Sequence, residues 1–489
     1  MPNIDYHALL PVEILASTIL VVLVIDLFLP ARAKAASMWF AMAGVLASLA
    51  AVLSLVGQGV RVAFGGAYVV DAFTLIFQAF FLICAAVVLL ISYRYLRDGG
   101  FYQGEYYFLL LTAFLGCTLM PASRNLLMLF LALELVSAPG FLMAAFRKSD
   151  IRGNEGGLKF FIIGVLSTAV MLYGMSLIYG LTGALELHAI AEKLGGLTGP
   201  SATLSQVAIL FVVVGFAFKV SAVPFQFWAP DTYEGSPVPV AAFLAVASSA
   251  AGFAGLLQLM FVAFVGQWEF WAPIFALLSV LTMTLGNLVA LRQRQTVRLL
   301  AYSGIAQAGY ILLPFALVSG DAGVNRSAFT AAVTYILIYA VMNLGSFAVV
   351  TAVSERRPSL RIEDFAGLMK SAPLLGVAMT AFMVSLAGVP PTGGFWGKLG
   401  IFAAAIERGG IGPWLAAIMV INSVISVGYY FLIPRAMIFE EPPDEEVRVR
   451  VPVLLGTVVT IALAGILLIF ALPNAIYRLG ELSSLALGF

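Results

Sequence analysis

Three ionisable side chains lie near the middle of long apolar stretches of the sequence. Glu134 stands in LALELVSAPGF, Lys219 in FAFKVSAVPF and Lys398 in FWGKLGIF. A charge at the centre of a bilayer costs about 2.5 to 3.5 kcal/mol on insertion scales, so such groups face protein or water and mark ion or proton pathways. Their opposite signs predict an ion pair between Glu134 and Lys219, which either loads and releases a proton or only holds two helices together.

Prolines stand close to both lysines. Pro224 follows Lys219 by five positions, and Pro390 with Pro391 comes shortly before Lys398. Proline removes a helical hydrogen bond, and interrupted membrane helices expose backbone groups that bind ions or water. We therefore predict that both helices are broken beside the charge.

These residues require a membrane-spanning scaffold. The chain has 489 residues, of which 62% are hydrophobic and only 10% charged, a composition far from that of a soluble domain. Apolar runs of about 20 residues are long enough to cross a bilayer, and they are continuous, which excludes an alternating β-barrel pattern. We predict an all-α fold of fourteen transmembrane helices, at 8–30, 36–57, 72–93, 106–122, 125–146, 157–181, 204–229, 237–265, 270–291, 297–319, 328–353, 373–407, 411–439 and 451–472.

The distribution of basic residues predicts the orientation. Of the 26 Lys and Arg residues, 17 fall in odd-numbered loops, when Arg298 and Arg435 near helix ends are counted with the adjacent loops, and 6 in even-numbered loops or the termini. Because cytoplasmic loops collect basic residues, both termini are expected on the non-cytoplasmic side of a bacterial inner membrane. The charged loops 354–370 and 440–450 are then cytoplasmic. The N-terminus MPNIDYHALL lacks the basic region of a cleavable signal.

Cysteine and histidine are too scarce for most redox sites. Cys84 and Cys117 lie within predicted helices, and His7 and His188 lie near the N-terminus and in a loop. Iron-sulfur clusters need about four thiolates, and a bis-histidine haem needs paired histidines within the membrane. Nucleotide-binding glycine loops and nucleophile-base constellations are also missing from the sequence. We therefore expect no cofactor and no metal on this chain.

Two similar segments of the sequence predict an internal repeat. KVSAVPFQFW at 219–228 and MVSLAGVPPTGGFW at 383–396 share a gapped V-S, V-P and F-W pattern five helices apart. An odd offset places the copies in opposite orientations, as in transporters with inverted repeats. The predicted organisation has N-terminal helices 1 to 3, a first repeat of helices 4 to 8, a second of helices 9 to 13, and a C-terminal helix with a tail, at 1–105, 106–266, 267–440 and 441–489.

Several motifs resemble the antiporter-like membrane subunits of respiratory complex I. They are FKVSAVPFQFWAPDTYEGSPVPVAAFLAVAS, RLLAYSGIAQAGYILL, EGGLKFFIIG and SLAGVPPTGGFWGKL, and they occur from about helix 4 to helix 13. The string P-D-x-Y-E-G-x-P-x-P-V at 230–240 is similar to the subunit N branch, the counterpart of mitochondrial subunit 2. Length agrees, because the long C-terminal extension of the L-type relative has no equivalent here.

The resemblance implies fold, activity and partners. It implies two inverted five-helix half-channels and proton translocation driven by quinone reduction elsewhere in the complex. Glu134, Lys219 and Lys398 match the family's functional glutamate of helix 5 and lysines of helices 7 and 12. NADH, FMN, iron-sulfur clusters and a quinone would be bound by other subunits, and K-type and M-type subunits would be the neighbours.

The sequence departs from the family pattern at positions expected between the two half-channels. The family usually carries a lysine in helix 8 where PVAAFLAVASSAAGF has Ser249, and histidines where this chain has Gln307 and Gln226. Serine and glutamine orient water but do not titrate near neutral pH. The link between the half-channels therefore needs ordered water, Ser248 or Ser249, or another route.

Other functions remain open on the sequence alone. A cation/proton antiporter subunit of the Mrp type would share the fold and the charged helices, and sodium dependence would favour it. A coupling subunit that does not itself pump, or a purely structural subunit, would tolerate neutralisation of Lys219 and Lys398. A lipid-modifying enzyme would need a catalytic constellation in a loop, which the sequence does not offer. Lys159, two residues into helix 6, is expected to reach the cytoplasmic surface.

Overall fold

A computed structural model describes residues 5–101, 103–441 and 451–488 of the chain. These residues form helices joined by short loops, with one β-hairpin of β1 (Arg61–Ala63) and β2 (Tyr68–Val70) between the second and third helices. The helices are α1 (Tyr6–Phe28), α2 (Ser37–Ser54), α3 (Ala72–Gly99), α4 (Gln103–Leu119), α5 (Leu126–Ala144), α6 (Ile151–Thr182), α7 (Leu187–Gly195), α8 (Pro200–Lys219), α9 (Trp228–Gly235), α10 (Val238–Phe243), α11 (Ser249–Gln258), α12 (Trp268–Ala290), α13 (Thr296–Ala316), α14 (Ala322–Ser354), α15 (Leu368–Ser371), α16 (Pro373–Ala387), α17 (Gly393–Arg408), α18 (Gly412–Tyr430), α19 (Leu432–Phe439), α20 (Val453–Ala471) and α21 (Pro473–Ala486).

The predicted multi-pass membrane fold is confirmed. Within the described ranges, thirteen helical segments are long and apolar enough to cross a membrane. The predicted twelfth helix is present as two shorter pieces, α16 and α17, of 15 and 16 residues. Together they complete the predicted set of fourteen.

Several predicted boundaries were wrong. The seventh helix was expected over 204–229 but stops at Lys219, and α3 continues to Gly99 instead of ending at 93, because charged residues at its end remain helical. The amphipathic helices α7 and α21 were missed, since their polar faces lower the mean hydropathy. The charged loop predicted at 440–450 lies outside the described residues except for its first two positions.

Helix ends follow local chemistry. Many helices begin after a residue whose side chain accepts hydrogen bonds from the first free backbone N–H groups, as N-caps do; these residues are Asp5, Asp71, Asn125, Asp150, Glu186, Gln295 and Asp321. Gly183 and Gly388 end α6 and α16 in the left-handed conformation, with φ of 61° and 85°.

The centre of the molecule is formed by three nearly enclosed segments: α13, α14, and the segment Val238–Ala263 that contains α10 and α11. Two π-helical turns, Leu244–Ser248 and Leu259–Ala263, flank α11. α14 packs against α10, α13, α16, α17, α20 and α21. Polar side chains on these segments are therefore held inside protein and away from lipid.

Similar loop contacts occur in the two predicted repeats. The residue before α5 pairs with the loop after α6 through Asn125 and Glu186, and the residue before α13 pairs with the loop after α14 through Gln295 and Arg361. Each is an isolated antiparallel bridge with two backbone hydrogen bonds of 2.8 to 3.0 Å. The second and third helices of each predicted repeat are thus closed by the same kind of contact.

A buried ion pair attaches the N-terminal helices to the first repeat. Arg124, just before α5, binds Asp71 at the start of α3 with 2.5 Å between Nη2 and Oδ2, and both side chains are almost fully enclosed. Arg124 also donates to Gln258 at the end of α11. Such a pair is strongly destabilising to break from one side, so it fixes α3 against α5 and α11.

Candidate functional site

Lys219 is the last residue of α8 and stands at a helix break, as predicted. Residues 220–227 cross to α9 in a non-helical path that contains Ser221, at φ 56°, and Pro224. The backbone N–H of Val223 donates to Thr282 Oγ1 of α12 at 3.0 Å. The break in the first predicted repeat is therefore anchored to the first helix of the second.

The ammonium of Lys219 binds a hydroxyl instead of a carboxylate. Lys219 is 2% exposed, and its Nζ donates to Ser137 Oγ of α5 at 2.9 Å. Ser137 in turn donates to the carbonyl of Leu133 at 2.8 Å. The predicted ion pair with Glu134 is not formed: Nζ has no described carboxylate within 4.0 Å, and the buried Glu134 Oε1 has no hydrogen-bond partner. Helix packing places α8 opposite the residue one turn after Glu134.

Lys398 lies beside the second break. α16 ends at Ala387, and α17 begins after five residues at Gly393. Lys398 is 7% exposed; its Nζ donates to the carbonyl of Ala387 at 2.9 Å and lies 4.6 Å from the ring centroid of Tyr310. The helix break that Pro390 and Pro391 predict is present, and it frees the carbonyl that binds the ammonium. A cavity of about 380 Å³ adjoins Lys398 between α17 and α18.

Gln307 is the centre of a buried hydrogen-bond network near Lys398. Its Nε2 donates to the carbonyl of Leu386 at 3.0 Å and to Tyr430 Oη at 2.9 Å, and its Oε1 accepts from Tyr335. Tyr430 Oη is also 2.5 Å from Ser303 Oγ. Gln307 and Lys398 thus bind consecutive carbonyls at the broken end of α16.

Ser249 begins α11 at the end of a π-helical turn. Its Oγ donates to the carbonyl of Leu244 at 3.1 Å. It also lines a small cavity of about 20 Å³ with Ser221, Tyr233 and Tyr339. Position 249 therefore faces both the first break and α14.

A charged cluster joins α6, α9 and α13. Asp231 accepts from Lys159 Nζ at 2.6 Å and from Arg298 Nη1 at 2.7 Å, while Arg298 also binds Glu234 at 3.0 Å and Lys159 binds Glu155 at 2.7 Å. Burial acts to raise the pKa of Asp231, but the hydrogen bonds from Lys159 and Arg298 outweigh it and hold this pKa below its ordinary value. Lys159 is thus paired with two carboxylates and remains partly exposed.

Sequence reasoning missed the neutral partners of the lysines. Ser137 could have been found, since it lies three positions after Glu134 and so on the same helix face. Tyr310, Tyr335 and Tyr430 gave no such signal, because only packing between helices brings them to Gln307 and Lys398. Their hydroxyls are polar groups within apolar segments and were candidate functional groups for the same reason as the charged residues.

The chain matches one family of membrane proteins. The family model described as NADH:quinone oxidoreductase/Mrp antiporter, TM, matches residues 123–426. NADH-quinone oxidoreductase subunit N of Trichlorobacter lovleyi is 39% identical over 98% of this chain and 97% of its own length.

Solved structures agree in fold. A chain of respiratory complex I from Thermus thermophilus with bound aureothin is 32% identical, has a TM-score of 0.77, and covers 96% of this chain and 98% of its own. A chain of the Mrp complex from Dietzia sp. has a TM-score of 0.85 but is only 20% identical, with 99% of this chain and 98% of its own covered. The second likeness shows the shared fold alone.

Proposed function

Because this chain belongs to the family of NADH-quinone oxidoreductase subunit N, we propose that its buried lysines carry protons across the membrane. It is a proton-translocating membrane-arm subunit of an NADH:quinone oxidoreductase, in which quinone reduction on other chains drives the transfer. The complex I chain that it resembles over nearly its whole length supports the same assignment.

The way in which the two lysines are held carries this proposal. Each ammonium has three N–H donors, yet Lys219 makes one hydrogen bond to a hydroxyl and Lys398 makes one to a carbonyl. A structural lysine at this depth would pair with a carboxylate, since an unpaired buried charge is costly. Groups held by a single neutral oxygen can release a proton without leaving a buried anion behind.

The roles follow the order of the groups through the membrane. Lys219 is the central proton acceptor of the half that is connected to the cytoplasm, and Glu134 sets the charge around it. Lys398 releases the proton outward, with Gln307 and Ser249 along the connecting path. The breaks marked by Pro224, Pro390 and Pro391 keep backbone groups and space available for water.

The orientation, domain organisation, partner subunits and cofactors follow from the same assignment. Both termini lie on the non-cytoplasmic side, and the four units at 1–105, 106–266, 267–440 and 441–489 are the N-terminal helices, the two inverted repeats and the C-terminal helix. Neighbouring membrane-arm subunits are of the K and M types. NADH, FMN, iron-sulfur clusters and the quinone are bound by other chains; among the described residues of this one, no cluster of His, Cys, Asp or Glu is arranged to hold a metal.

Two alternatives keep the same fold. The family description also covers Mrp antiporters, and the Mrp likeness is high in shape. The near-full-length identity to subunit N favours the oxidoreductase. The serine at position 249 favours a second alternative, a coupling subunit that transmits change without pumping.

Counting protons in the intact complex tests the proposal. Lys219→Met keeps the apolar stem and removes the ammonium, and Lys370→Met is the matched control at an exposed lysine outside the spans. We expect Lys219→Met to lower the protons translocated per electron in proteoliposomes, with Lys370→Met unchanged. A wild-type count in an assembled Lys219→Met complex would favour the non-pumping subunit, and sodium-dependent transport without quinone reduction would favour the antiporter.

A further inference from the structure

We propose that the zwitterionic headgroup of a phosphatidylethanolamine molecule binds between the ends of α3 and α14. The guanidinium groups of Arg94 and Arg356 bind its phosphate, and the carboxylate of Glu355 accepts hydrogen bonds from its ammonium. This site is separate from the two lysines and their helix breaks, so the inference goes beyond the proposed function and does not rest on it.

The site is a partly open cavity of about 410 Å³ at the end of α3 and α14. Charged side chains of both signs line it: Arg94 and Asp98 from α3, and Glu355 and Arg356 from the residues that follow α14. Small-molecule sites usually have volumes of roughly 300 to 1,000 Å³. The cavity is therefore large enough for a headgroup, and its lining suits a polar ligand that carries both charges.

Aromatic residues place the cavity near the surface of the membrane. Trp39, at the start of α2, is 50% exposed, and its ring centroid lies 6.0 Å from that of Tyr93, the residue before Arg94. Tryptophan and tyrosine are enriched at the level of the lipid headgroups. The distribution of basic residues predicts that this surface is the cytoplasmic one. A lipid headgroup is therefore the zwitterionic group that the cavity meets at this depth.

The two arginines have unused donors for a phosphate. Arg94 Nε lies 2.9 Å from Asp98 Oδ2 and 3.4 Å from Glu355 Oε2, while its two Nη groups have no partner among the described residues. Arg356 has no carboxylate within 4.0 Å in the described part of the chain. Guanidinium groups bind phosphate oxygens with two parallel hydrogen bonds. A phosphate in the cavity thus meets two guanidinium groups that can both donate to it.

Glu355 lacks a partner that an ammonium would supply. Its side chain is 13% exposed, its Oε2 faces Arg94, and its buried Oε1 has no hydrogen-bond partner among the described residues. Burial raises the pKa of Glu355 above its ordinary value, although Arg94 acts against this effect. Leaving a buried charged acceptor unsatisfied is costly, and an ammonium has three N–H donors. Binding an ammonium therefore stabilises the carboxylate of Glu355.

The arrangement discriminates among headgroups. Both oxygens of Asp98 are already bound, Oδ2 by Arg94 and Oδ1 by Arg97, each at 2.9 Å, so only Glu355 is left to accept from a cationic ligand. Phosphatidylglycerol has a phosphate but no ammonium, and it leaves Glu355 Oε1 unsatisfied. The quaternary ammonium of phosphatidylcholine has no N–H and cannot donate to it. Phosphatidylethanolamine satisfies both the arginines and the glutamate.

Locating the headgroup is the first test. A cryo-EM map of the whole complex in phosphatidylethanolamine nanodiscs should show headgroup density in contact with Arg94, Glu355 and Arg356. A map in phosphatidylcholine nanodiscs should lack it. A well-ordered cavity that is empty in phosphatidylethanolamine, or equally filled in both lipids, would overturn the inference. This measurement needs no variant.

Substituting the carboxylate is the second test. The assembled complex would be labelled with a photoreactive phosphatidylethanolamine, and the yield would be measured on peptides from the ends of α3 and α14. We expect Glu355→Gln to lower this yield about tenfold or more, the change expected for loss of one charge-assisted hydrogen bond. Glu363→Gln, at an exposed glutamate of the following loop, is the matched control and should label like the wild type.

Competition identifies the group that is recognised. Unlabelled phosphatidylethanolamine should displace the probe, and phosphatidylcholine should not. Equal displacement by both lipids, or wild-type labelling of Glu355→Gln, would overturn headgroup recognition, and displacement by free phosphoethanolamine at the same concentration would overturn the lipid as its source. Should Glu355→Gln fail to assemble, Arg356→Gln at an exposed position replaces it. Neither test counts protons, so failure here leaves the proposed function standing.

Discussion

Lys219 and Lys398 both stand beside a helix break, but their ammonium groups bind different kinds of oxygen. Lys219 reaches across to a side chain on another helix, Ser137 of α5. Lys398 bends back to the main chain, binding the last carbonyl of α16 and resting on the ring of Tyr310. The first site adjoins space for one water, whereas the second adjoins a cavity of about 380 Å³.

A broken helix beside a lysine thus holds the two ammonium groups in different ways. At the first break, the hydroxyl that binds the ammonium belongs to a different helix, α5, so this contact depends on how α5 packs against α8. At the second break, the carbonyl belongs to the same broken helix and faces a roomier cavity. The first contact therefore depends on packing between separate helices, and the second is contained within one interrupted helix.

Adding a methyl group at the second break should have the largest effect on stability. A Cβ on Gly388, at φ 85°, would lie 2.6 Å from Lys398 Cδ. We expect Gly388→Ala to cost about 1 to 2 kcal/mol for the left-handed backbone and about 1 to 3 kcal/mol for overpacking. Thermal stability and yield of the assembled complex would measure this.

Two other glycines provide the comparison. Gly252→Ala meets Lys219 Cγ at 2.9 Å with helical backbone and should cost less, and Gly180→Ala meets nothing within 4 Å. If Gly388→Ala were as stable as Gly180→Ala, the tight packing at the second break would be refuted.

Removing the hydroxyl partner should impair only the first site. A hydrogen bond to a charged group contributes about 1.5 to 3 kcal/mol, so Ser137→Ala should reduce the population of correctly held Lys219 by about tenfold or more. We expect lower proton-coupled quinone reduction, with Ser137→Thr preserving it. Ser176→Ala, an exposed serine of α6, is the matched control. Equal activities of Ser137→Ala and Ser176→Ala would contradict the account.

Removing the aromatic ring of Tyr310 should impair the Lys398 site, but less than the loss of Ser137 impairs the Lys219 site. A cation over an aromatic face gains about 0.5 to 2 kcal/mol, so Tyr310→Leu should lower the proton count. Tyr310→Phe keeps the ring and loses only the hydroxyl that accepts from Asn287 at 3.0 Å. We expect the proton count to decrease from wild type to Tyr310→Phe and again to Tyr310→Leu. A lower count in Tyr310→Phe than in Tyr310→Leu would refute the role of the ring.

The charged cluster should give the smallest effect, and one that does not depend on pH near neutrality. Because the folded pKa of Asp231 lies below its ordinary value, its stabilisation is present above the unfolded pKa and is lost only as the pH falls through the folded one. Asp231→Asn should therefore lower thermal stability by a similar amount at pH 6 and pH 8, by about 1 kcal/mol or less. A loss confined to one of these pH values would contradict this.

Hydropathy and proline placement were sufficient to predict the number of spans and both breaks, but not every span boundary. Pro224 and Pro390 mark chain segments that cannot continue a helix, and this is a local property that one sequence reveals. The partner of Lys219 was not local. Opposite charge favoured Glu134, but the rotation of α5 against α8 selects Ser137, and that rotation depends on packing over the whole bundle.

The tyrosine contacts were unpredictable for the same reason. Tyr310, Tyr335 and Tyr339 lie on α13 and α14, which are enclosed by protein on nearly all sides, so their sequences show no single apolar face. Amphipathic patterns reveal which face of a helix is buried, and a fully buried helix has no such pattern. The contacts of these tyrosines therefore emerged only from distances between helices.

Combining the two lysine substitutions tests the central claim most directly. If Lys219 and Lys398 lie in series on one proton route, either substitution blocks it, and non-additivity reveals the coupling. Protons per electron would be measured in proteoliposomes for Lys219→Met, Lys398→Met and the double variant, each as an assembled complex. The account predicts the same lowered count in all three; a double variant that loses the sum of two separate decrements, or single variants with the wild-type count, would contradict it.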